Sequence, residues 1–357
     1  MTTMLVMAGG TGGHVYPALA VAELLRQWGV RIVWLGTRNG LEARVVPAAG
    51  FEMEWISIRG VRGAEWRRWV VMPLRMAVAL TQAARAVFRH RPDALLGMGG
   101  FVSAPGGLAA WLLHRPLLIH ESNAVAGTTN RLLARLSKYT MTGFPGVLHG
   151  AKVRHVGNPV RTAIGSLDAP QQRLAARSGP VRLLVLGGSR GAAALNRLLV
   201  PALRPLSAAQ CPQVWHQTGA DAVEQVRTDY EEAGIDARVA AYIDDIAQAY
   251  AWADLAICRA GAMTVSELAA AGLGAVLVPY PYAVDDHQTA NARYLEAHGA
   301  GVVLAEHDLN AERLTAALQP LLADRSRIVG MAECARQLAL PDATQRVAQL
   351  CLDAINA

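Results

Sequence analysis

The 357-residue sequence predicts an α/β protein built as two doubly wound, Rossmann-like domains with a cleft between them. Three observations carry that expectation. Short apolar runs alternate with helix-length segments along most of the chain, the rhythm of βαβ units in a parallel sheet. The opening unit, Met4–Met7 followed by Ala8-Gly9-Gly10-Thr11-Gly12-Gly13-His14 and a helical pattern over Pro17–Trp28, is echoed by Val181–Leu186 followed by Gly187-Gly188-Ser189-Arg190-Gly191. Between them, near Val156–Arg161, the rhythm lapses into a poorly structured stretch, Gly165–Gly179. A linker near 158–165 therefore separates domains over 1–160 and 161–340.

Taken in order, each unit brings polar groups to the end of a strand. Ile32–Leu35 reads as the second strand. Leu95–Gly97 enters a second glycine loop, Met98-Gly99-Gly100-Phe101-Val102-Ser103, and the helix after it carries Gly106 and Gly107. Leu117–Ile119 delivers His120-Glu121-Ser122-Asn123, and Gly127–Leu136, with Asn130, looks helical. Glycines this dense let backbone amides approach a bound anion. In the second domain Val214–His216 precedes Thr218-Gly219, and Val239–Ile243 precedes Asp244-Asp245.

The stretch Asp254–Asn291 is the richest in chemistry. Leu255–Cys258 reads as a strand, Arg259-Ala260-Gly261 as a turn, and Thr264-Val265-Ser266-Glu267 as a capping box opening a helix. A helix start there offers unpaired N–H groups and the positive dipole end to a phosphate. Glu267 is either the return partner of the box or a ligand for a ribose diol. Beyond Ala275–Val278 and Pro279, the run Asp285-Asp286-His287-Gln288-Thr289-Ala290-Asn291 crowds hydrogen-bonding side chains at a strand's C-terminal end, with Gln288 and Asn291 suited to sugar hydroxyls. Gly299–Leu304 then leads to helices from Asn310 onward, broken by Pro320 and Pro341.

Composition narrows the class. At 52% apolar content the chain can fill two cores. Cys211, Cys258, Cys334 and Cys351 form no C-x-x-C pair, which points away from disulfides and zinc and toward a reducing cytosol. The N-terminus runs at once into a strand without a basic n-region, unlike a signal peptide. No apolar run approaches the ~20 residues of a membrane span, so a soluble or peripheral protein is expected. Net charge is +6, but residues 1–158 hold 18 Lys and Arg against 7 Asp and Glu, a net of +11, and the remainder holds 16 against 21, a net of −5. The pI of about 9.4 raises nucleic-acid binding. The sequence has neither RNP-like aromatics nor a basic recognition helix, and no nucleic-acid partner is expected.

Rival motifs are few. G-x-G-x-x-G, G-x-x-x-x-G-K-[ST] and D-x-D are absent, so no dinucleotide, P-loop or metal-gripped diphosphate is indicated, and no metal or cofactor is expected. Gly187–Gly191 satisfies G-x-S-x-G, the setting of a hydrolase nucleophile at Ser189, with Asp285 and His287 following in hydrolase order. The near-duplicate at residues 9–13 has no serine, and the anion site in each half favours a transferase.

Together Gly9–His14 (GGTGGH), Met98–Ser103 (MGGFVS), His120–Asn123 (HESN), Val156–Arg161 (VGNPVR) and Cys258–Glu267 (CRAGAMTVSE) resemble the GT-B glycosyltransferases, and among them the bacterial family that adds N-acetylglucosamine to lipid I. The resemblance covers essentially the whole chain. It implies an inverting transfer from UDP-GlcNAc to the C4 hydroxyl of the muramoyl sugar of lipid I, giving lipid II for peptidoglycan synthesis. A UDP-GlcNAc 2-epimerase or another glycolipid glycosyltransferase is the runner-up. It implies a donor held mainly on the second domain: uracil near Ile243 and Ala262, phosphates at Ser189 and at Met263 and Thr264, ribose on Glu267. Val265, Ser266, Asn123, Arg161, Arg259, Thr11, Gly12 and Gly13 are further donor-side residues. Gly9, Gly10, Gly99, Gly100, His120 and Asn130 fall on the acceptor side, and residues 341–357 form a helix returning to the first domain. His14, an imidazole on a loop at the cleft edge, is the first candidate for general base or else positions the acceptor; His120 and Glu121 form the competing pair, with Glu121 catalytic. Arg259 and the helix dipole supply positive charge. Two departures stand out: Phe101 replaces the family's usual Tyr, and Ser122 its usual Gln.

The implied acceptor carries a lipid tail, so an anionic membrane surface is an expected partner, with other cell-wall synthesis and division proteins. Arg59, Arg62, Arg67, Arg68, Arg75, Arg85, Arg89 and Arg91 face the single acid Glu65 between residues 59 and 91. Trp66, Trp69, Val70, Val71, Met72, Leu74, Met76 and Leu80 are interleaved. This pattern suits peripheral attachment at the cytoplasmic side of the inner membrane.

Overall fold

The computed structural model describes residues 1–58, 72–175, 177–188 and 191–356. Two compact units divide the chain: Met1–Val160 with Asp342–Ala357, and Arg161–Pro341. The first unit is built on seven strands, β1 (Thr3–Met7), β2 (Arg31–Gly36), β3 (Glu52–Trp55), β4 (Ala94–Gly97), β5 (Leu117–Glu121), β6 (Tyr139–Thr142) and β7 (Val153–His155), in the order β3-β2-β1-β4-β5-β6-β7. The second holds β8 (Arg182–Leu186), β9 (Gln213–Gln217), β10 (Ala237–Ala240), β11 (Leu255–Cys258), β12 (Ala275–Leu277) and β13 (Gly301–Val303), in the order β10-β9-β8-β11-β12-β13. Neighbouring strands are parallel throughout, as in the registers Met7↔Gly97 for β1 with β4 and Cys258↔Leu186 for β11 with β8. In both sheets strand order reverses between the unit's first strand and its fourth. That switch point is where adjacent strands send their chains to opposite faces and leave a crevice.

The central strands are apolar on both faces because helices cover both. Along β1, Met4 and Val6 enter one core with Val15, Leu25, Trp34, Leu96 and Leu118. Leu5 and Met7 enter the other, with Val33, Leu95 and Ile119 and with Ala79, Ala83 and Val87 of the helix Met72–His90. The first of these cores is completed by Val347, Ala348, Cys351 and Ala354 of the helix Ala343–Asn356, which packs on the helix Gly12–Gln27. Lys138 Nζ donates to the Ala354 carbonyl at 3.2 Å, tying the last turn of that helix.

Several elements differ from expectation. The first helix begins at Gly12, not Pro17, with Thr11 as its extended N-cap, so half of the glycine loop is helix. Residues 165–179 contain the end of the short helix Thr162–Gly165 and the helix Pro170–Ala175 rather than irregular chain alone. Pro320 lies inside the helix Ala311–Ala323, where burying Leu318, Leu321 and Leu322 offsets one missing backbone bond. The break comes at Asp324, whose carboxylate accepts from Ser326 N–H and opens the helix Arg325–Gln337. Strands β3, β6 and β7 and the helix Glu42–Ala48 carry too little apolar periodicity to stand out in sequence.

One buried group makes stability depend on pH. His216 on β9 is fully buried, Nδ1 lying 3.1 Å from the Tyr230 hydroxyl, and burial holds its imidazole at about 3 instead of 6.5. The folded unit thus binds fewer protons than the unfolded chain between these values, so this contribution is complete above ~6.5 and is lost as pH falls. Between pH 7 and pH 5 the loss should be about 2 kcal/mol. His216→Phe should flatten the pH dependence of unfolding by that amount; an unchanged slope would contradict the assignment.

Candidate active site

The candidate site residues of the first unit gather at the C-terminal ends of β1, β4 and β5. After Met7 the chain turns through Gly9 and Gly10 (φ +93°) into the helix Gly12–Gln27. Gly12 and Gly13 occupy its first turn, ahead of the Val15 N–H to Thr11 C=O bond. The turn is held from behind by buried side chains. The Trp34 indole donates to the Ala8 carbonyl at 2.9 Å, and the Gly10 N–H donates to Glu42 Oε2 at 3.0 Å. Glu42, with no exposed surface, also accepts from the Thr37 N–H at 3.0 Å and the Thr37 hydroxyl at 2.7 Å. The Gly10 amide, expected on the acceptor-substrate side, is thereby engaged by the Glu42 carboxylate.

The second glycine loop is shaped around His14. Gly99 and Gly100 have φ of +100° and +82°, and a Cβ at Gly99 would meet His14 Cδ2 at 2.7 Å and Nε2 at 2.9 Å. At Gly100 it would meet the Gly9 carbonyl oxygen at 2.4 Å. The two glycine loops and the half-buried His14 ring therefore form one surface, and Ser103 Oγ, 3.1 Å from the Gly99 carbonyl and 3.3 Å from that of Met7, ties the second loop to the end of β1. Phe101 lies beside Gly10, its ring 3.4 Å from where a Cβ at Gly10 would stand.

The HESN segment at the end of β5 is a scaffold. His120 is buried with Nε2 2.9 Å from the Gly157 carbonyl, which fixes Nε2 as the protonated nitrogen. Burial lowers its pKa, His14 adds to that effect, and the Gly157 hydrogen bond and Glu121 oppose it. Ser122 Oγ stands 3.5 Å from Nδ1. Glu121 accepts from Asn123 N–H, Asn123 Nδ2, Gly127 N–H and Asn130 Nδ2 at 2.9 to 3.2 Å. Four amide donors occupy both carboxylate oxygens, so Glu121 orders the loop that carries Asn123 and is not placed as a base.

In the second unit the chain leaves β11 through Arg259, Ala260 and Gly261 into the helix Ala262–Ala271. The N-cap is Gly261, three residues ahead of the expected Thr264, and no side chain caps it. The capping box is therefore not formed. Thr264 sits inside the first turn with Ala262 and Met263, ahead of the Val265 N–H to Gly261 C=O bond, and Ser266 follows in the second turn. Glu267 turns elsewhere: Oε1 accepts from Arg161 at 2.8 Å and Oε2 from the Tyr250 hydroxyl at 3.1 Å.

Gln288, Asn291 and Arg259 have structural partners that sequence reasoning did not anticipate. Gln288 Oε1 accepts from the Ala260 and Tyr280 amides at 3.3 and 2.9 Å, and Asn291 Nδ2 donates to the Ala260 carbonyl at 3.1 Å, so both fix the turn between β11 and its helix. Arg259 donates to Glu306 and to the Val278 carbonyl. That ion pair engages the guanidinium expected to face a diphosphate. Ile243 N–H donates to Gln217 Oε1 at 3.2 Å while Gln217 Nε2 donates to the Gly188 carbonyl at 3.0 Å, joining Ile243 to the β8 glycine loop. Ser189 and Arg190 lie outside the described residues. Among the described residues no cluster of His, Cys, Asp or Glu could hold a metal ion.

Two doubly wound units, each with a strand-to-helix turn rich in glycine at its switch point, define the GT-B class of glycosyltransferases. Residues 4–142 match the glycosyltransferase family 28 N-terminal domain, and residues 182–347 match the glycosyltransferase family 28 C-terminal domain. The chain is 56% identical over 350 residues to the UDP-N-acetylglucosamine--N-acetylmuramyl-(pentapeptide) pyrophosphoryl-undecaprenol N-acetylglucosamine transferase of Alkalilimnicola ehrlichii, covering 98% of each. It is 54% identical over 351 residues to the protein of the same name from Nitrosococcus oceani, again covering 98% of each. The crystal structure of Acinetobacter baumannii MurG superimposes with a TM-score of 0.87 at 41% identity, covering 99% of this chain and all of that one. The chain belongs to glycosyltransferase family 28.

Sequence reading passed over Glu42, Gln217 and Tyr250. Gly36 and Gly40 offered a signal for the first, since a Cβ at either would meet the Glu42 side chain at 2.8 and 2.0 Å. Glu42→Ala should strand three donors, at about 1 kcal/mol or more each. A loss of at least about 3 kcal/mol in urea unfolding is expected, and a loss under about 1 kcal/mol would show that the carboxylate is dispensable.

Proposed function

We propose that this chain transfers N-acetylglucosamine from UDP-GlcNAc to the C4 hydroxyl of the muramoyl sugar of lipid I, with inversion, producing lipid II and releasing UDP. The observation that carries this reading is the β11 turn. Its helix presents first-turn amides at Ala262, Met263 and Thr264, and Glu267 stands one turn further with its carboxylate held in place. This arrangement suits a nucleoside diphosphate: amides toward the pyrophosphate, Glu267 toward the ribose. The names of the relatives at 54–56% identity supply the sugar and the acceptor.

The second unit is the donor domain, with Ile243 and Ala262 on the uracil side and Gln288 and Asn291 shaping the sugar side through the Ala260 peptide. The first unit is the acceptor domain. His14 takes the proton of the C4 hydroxyl as that oxygen attacks C1 of the donor sugar and the bond from C1 to the phosphate oxygen breaks. His120 is buried and hydrogen-bonded through Nε2, and Glu121 is saturated by amides. Charge developing on the departing UDP is met by the helix N-terminus, since Arg259 is paired with Glu306. His14→Ala should lower kcat by roughly 10²-fold or more and leave the KM for UDP-GlcNAc nearly unchanged. Near-normal turnover at saturating substrates would remove His14 from the role of base.

The same first unit docks on the cytoplasmic face of the inner membrane. The helix Ser103–Leu112 packs on Met72–His90, and together they expose Leu74 (68%), Phe88 (67%), Trp111 (51%) and Leu112 (49%), with Arg75 and Arg85 exposed beside them. Residues 59–71, with Arg67, Arg68 and the two tryptophans of the sequence pattern, lie outside the described residues. No described helix is long and apolar enough to cross a membrane. Binding therefore rests on shallow apolar insertion plus attraction to anionic lipid, worth ~1 kcal/mol per basic residue. Co-sedimentation with anionic vesicles should be strong at low salt and weaken as salt rises; equal binding to neutral vesicles, or none at low salt, would refute it.

A further inference from the structure

Glu267 cannot hold a ribose in one orientation without help. The terminal torsion of a glutamate is broad and nearly two-fold, so its carboxylate plane is set only by what binds the two oxygens. In the second unit each oxygen has one donor, from a different direction. Arg161 reaches Oε1 from a half-exposed position, and Tyr250 reaches Oε2 from the interior. Tyr250 is 1% exposed, on the helix Ile246–Trp252, and that helix packs on the one carrying Glu267. Burial, reinforced by Glu267, raises its pKa well above 10, so it remains a donor at every working pH.

We propose that Tyr250 is a positioning residue of the donor site: its hydroxyl locks the Glu267 carboxylate so that each oxygen keeps a lone pair for one hydroxyl of a ribose 2′,3′-diol. The inference rests on the reading of Glu267 as the ribose ligand. It makes Tyr250 part of the selection of ribonucleotide over deoxyribonucleotide donors, although it touches neither. The Arg161 pair is nearer to solvent and more screened, whereas the Tyr250 hydrogen bond is buried.

The test compares UDP-GlcNAc with its 2′-deoxyuridine counterpart in the wild-type enzyme, Tyr250→Phe and Glu267→Ala. Wild type should prefer the ribonucleotide by roughly tenfold in KM, the value of one hydrogen bond to a charged group. Tyr250→Phe should raise the KM for UDP-GlcNAc by roughly five- to tenfold with kcat unchanged, affect the deoxy donor far less, and so abolish most of the preference. A merely loosened fold would move both donors equally. Calorimetric binding of UDP and dUDP repeats the comparison without turnover, and the melting temperature reports the fold. If wild type discriminates and Tyr250→Phe discriminates just as well, Tyr250 has no positioning role and the Glu267 reading survives. If wild type treats the two donors alike, Glu267 is not the ribose ligand and the inference falls with it.

Discussion

At a strand-to-helix turn the peptide groups have neither a sheet partner nor a helical one, and buried peptide groups cannot be left unsatisfied. Both units meet that constraint with side chains drawn from elsewhere in the chain. Trp34, Glu42 and Ser103 hold the turns of the first unit. Gln217, Gln288 and Asn291 hold those of the second. Those partners satisfy peptide groups of the turns themselves, and each helix then begins its own bonding with an N–H to C=O bond back to the N-cap, Val15 to Thr11 and Val265 to Gly261. Because every sheet pairing is parallel, these turns all emerge at the C-terminal edge of their own sheet.

One backbone device thus recurs in both units, distinguished by where the polar side chain sits on the helix. His14 is the third residue of its helix and lies against the glycines of the neighbouring loop. Glu267 is the sixth residue of its helix, one turn further from the N-terminus, with an arginine and a tyrosine as partners. The first placement puts an imidazole among backbone groups, and the second sets a carboxylate one turn behind a helix end that no side chain caps. The capping box suggested by Thr264 and Glu267 would have spent that carboxylate on the backbone. Gly261 takes the N-cap position instead, and the carboxylate stays available.

The fold was legible because its signals are local: apolar runs such as Met4–Met7 and Leu255–Cys258, followed by glycines, are read within a few residues. Edge strands such as Glu52–Trp55 were not, because they alternate polar and apolar residues over too short a span. Within the site, motif residues came together as far as each unit extends: Gly9, Gly99 and His14 in one, Ala262 and Glu267 in the other. What sequence could not show was the direction of side chains. Gln288, Asn291, Arg259 and Glu121 have the right chemistry to grip a ligand, yet each reaches a backbone or side-chain partner set by tertiary packing. Glu42 and Tyr250 lay outside the motifs, 32 and 17 residues from the groups they hold.

The helix Ala343–Asn356 carries a consequence for biosynthesis. Val347, Cys351 and Ala354 are wholly or almost wholly enclosed in the core built around Val15, Leu25 and Trp34, although they are translated after the entire second unit. The second unit is one continuous segment and can close its core as soon as it leaves the ribosome. The first unit, begun earlier, waits with one apolar face uncovered until the returning helix arrives. Translation order and order of completion are therefore reversed, and the half that carries the exposed apolar helices is also the half that spends longest unfinished.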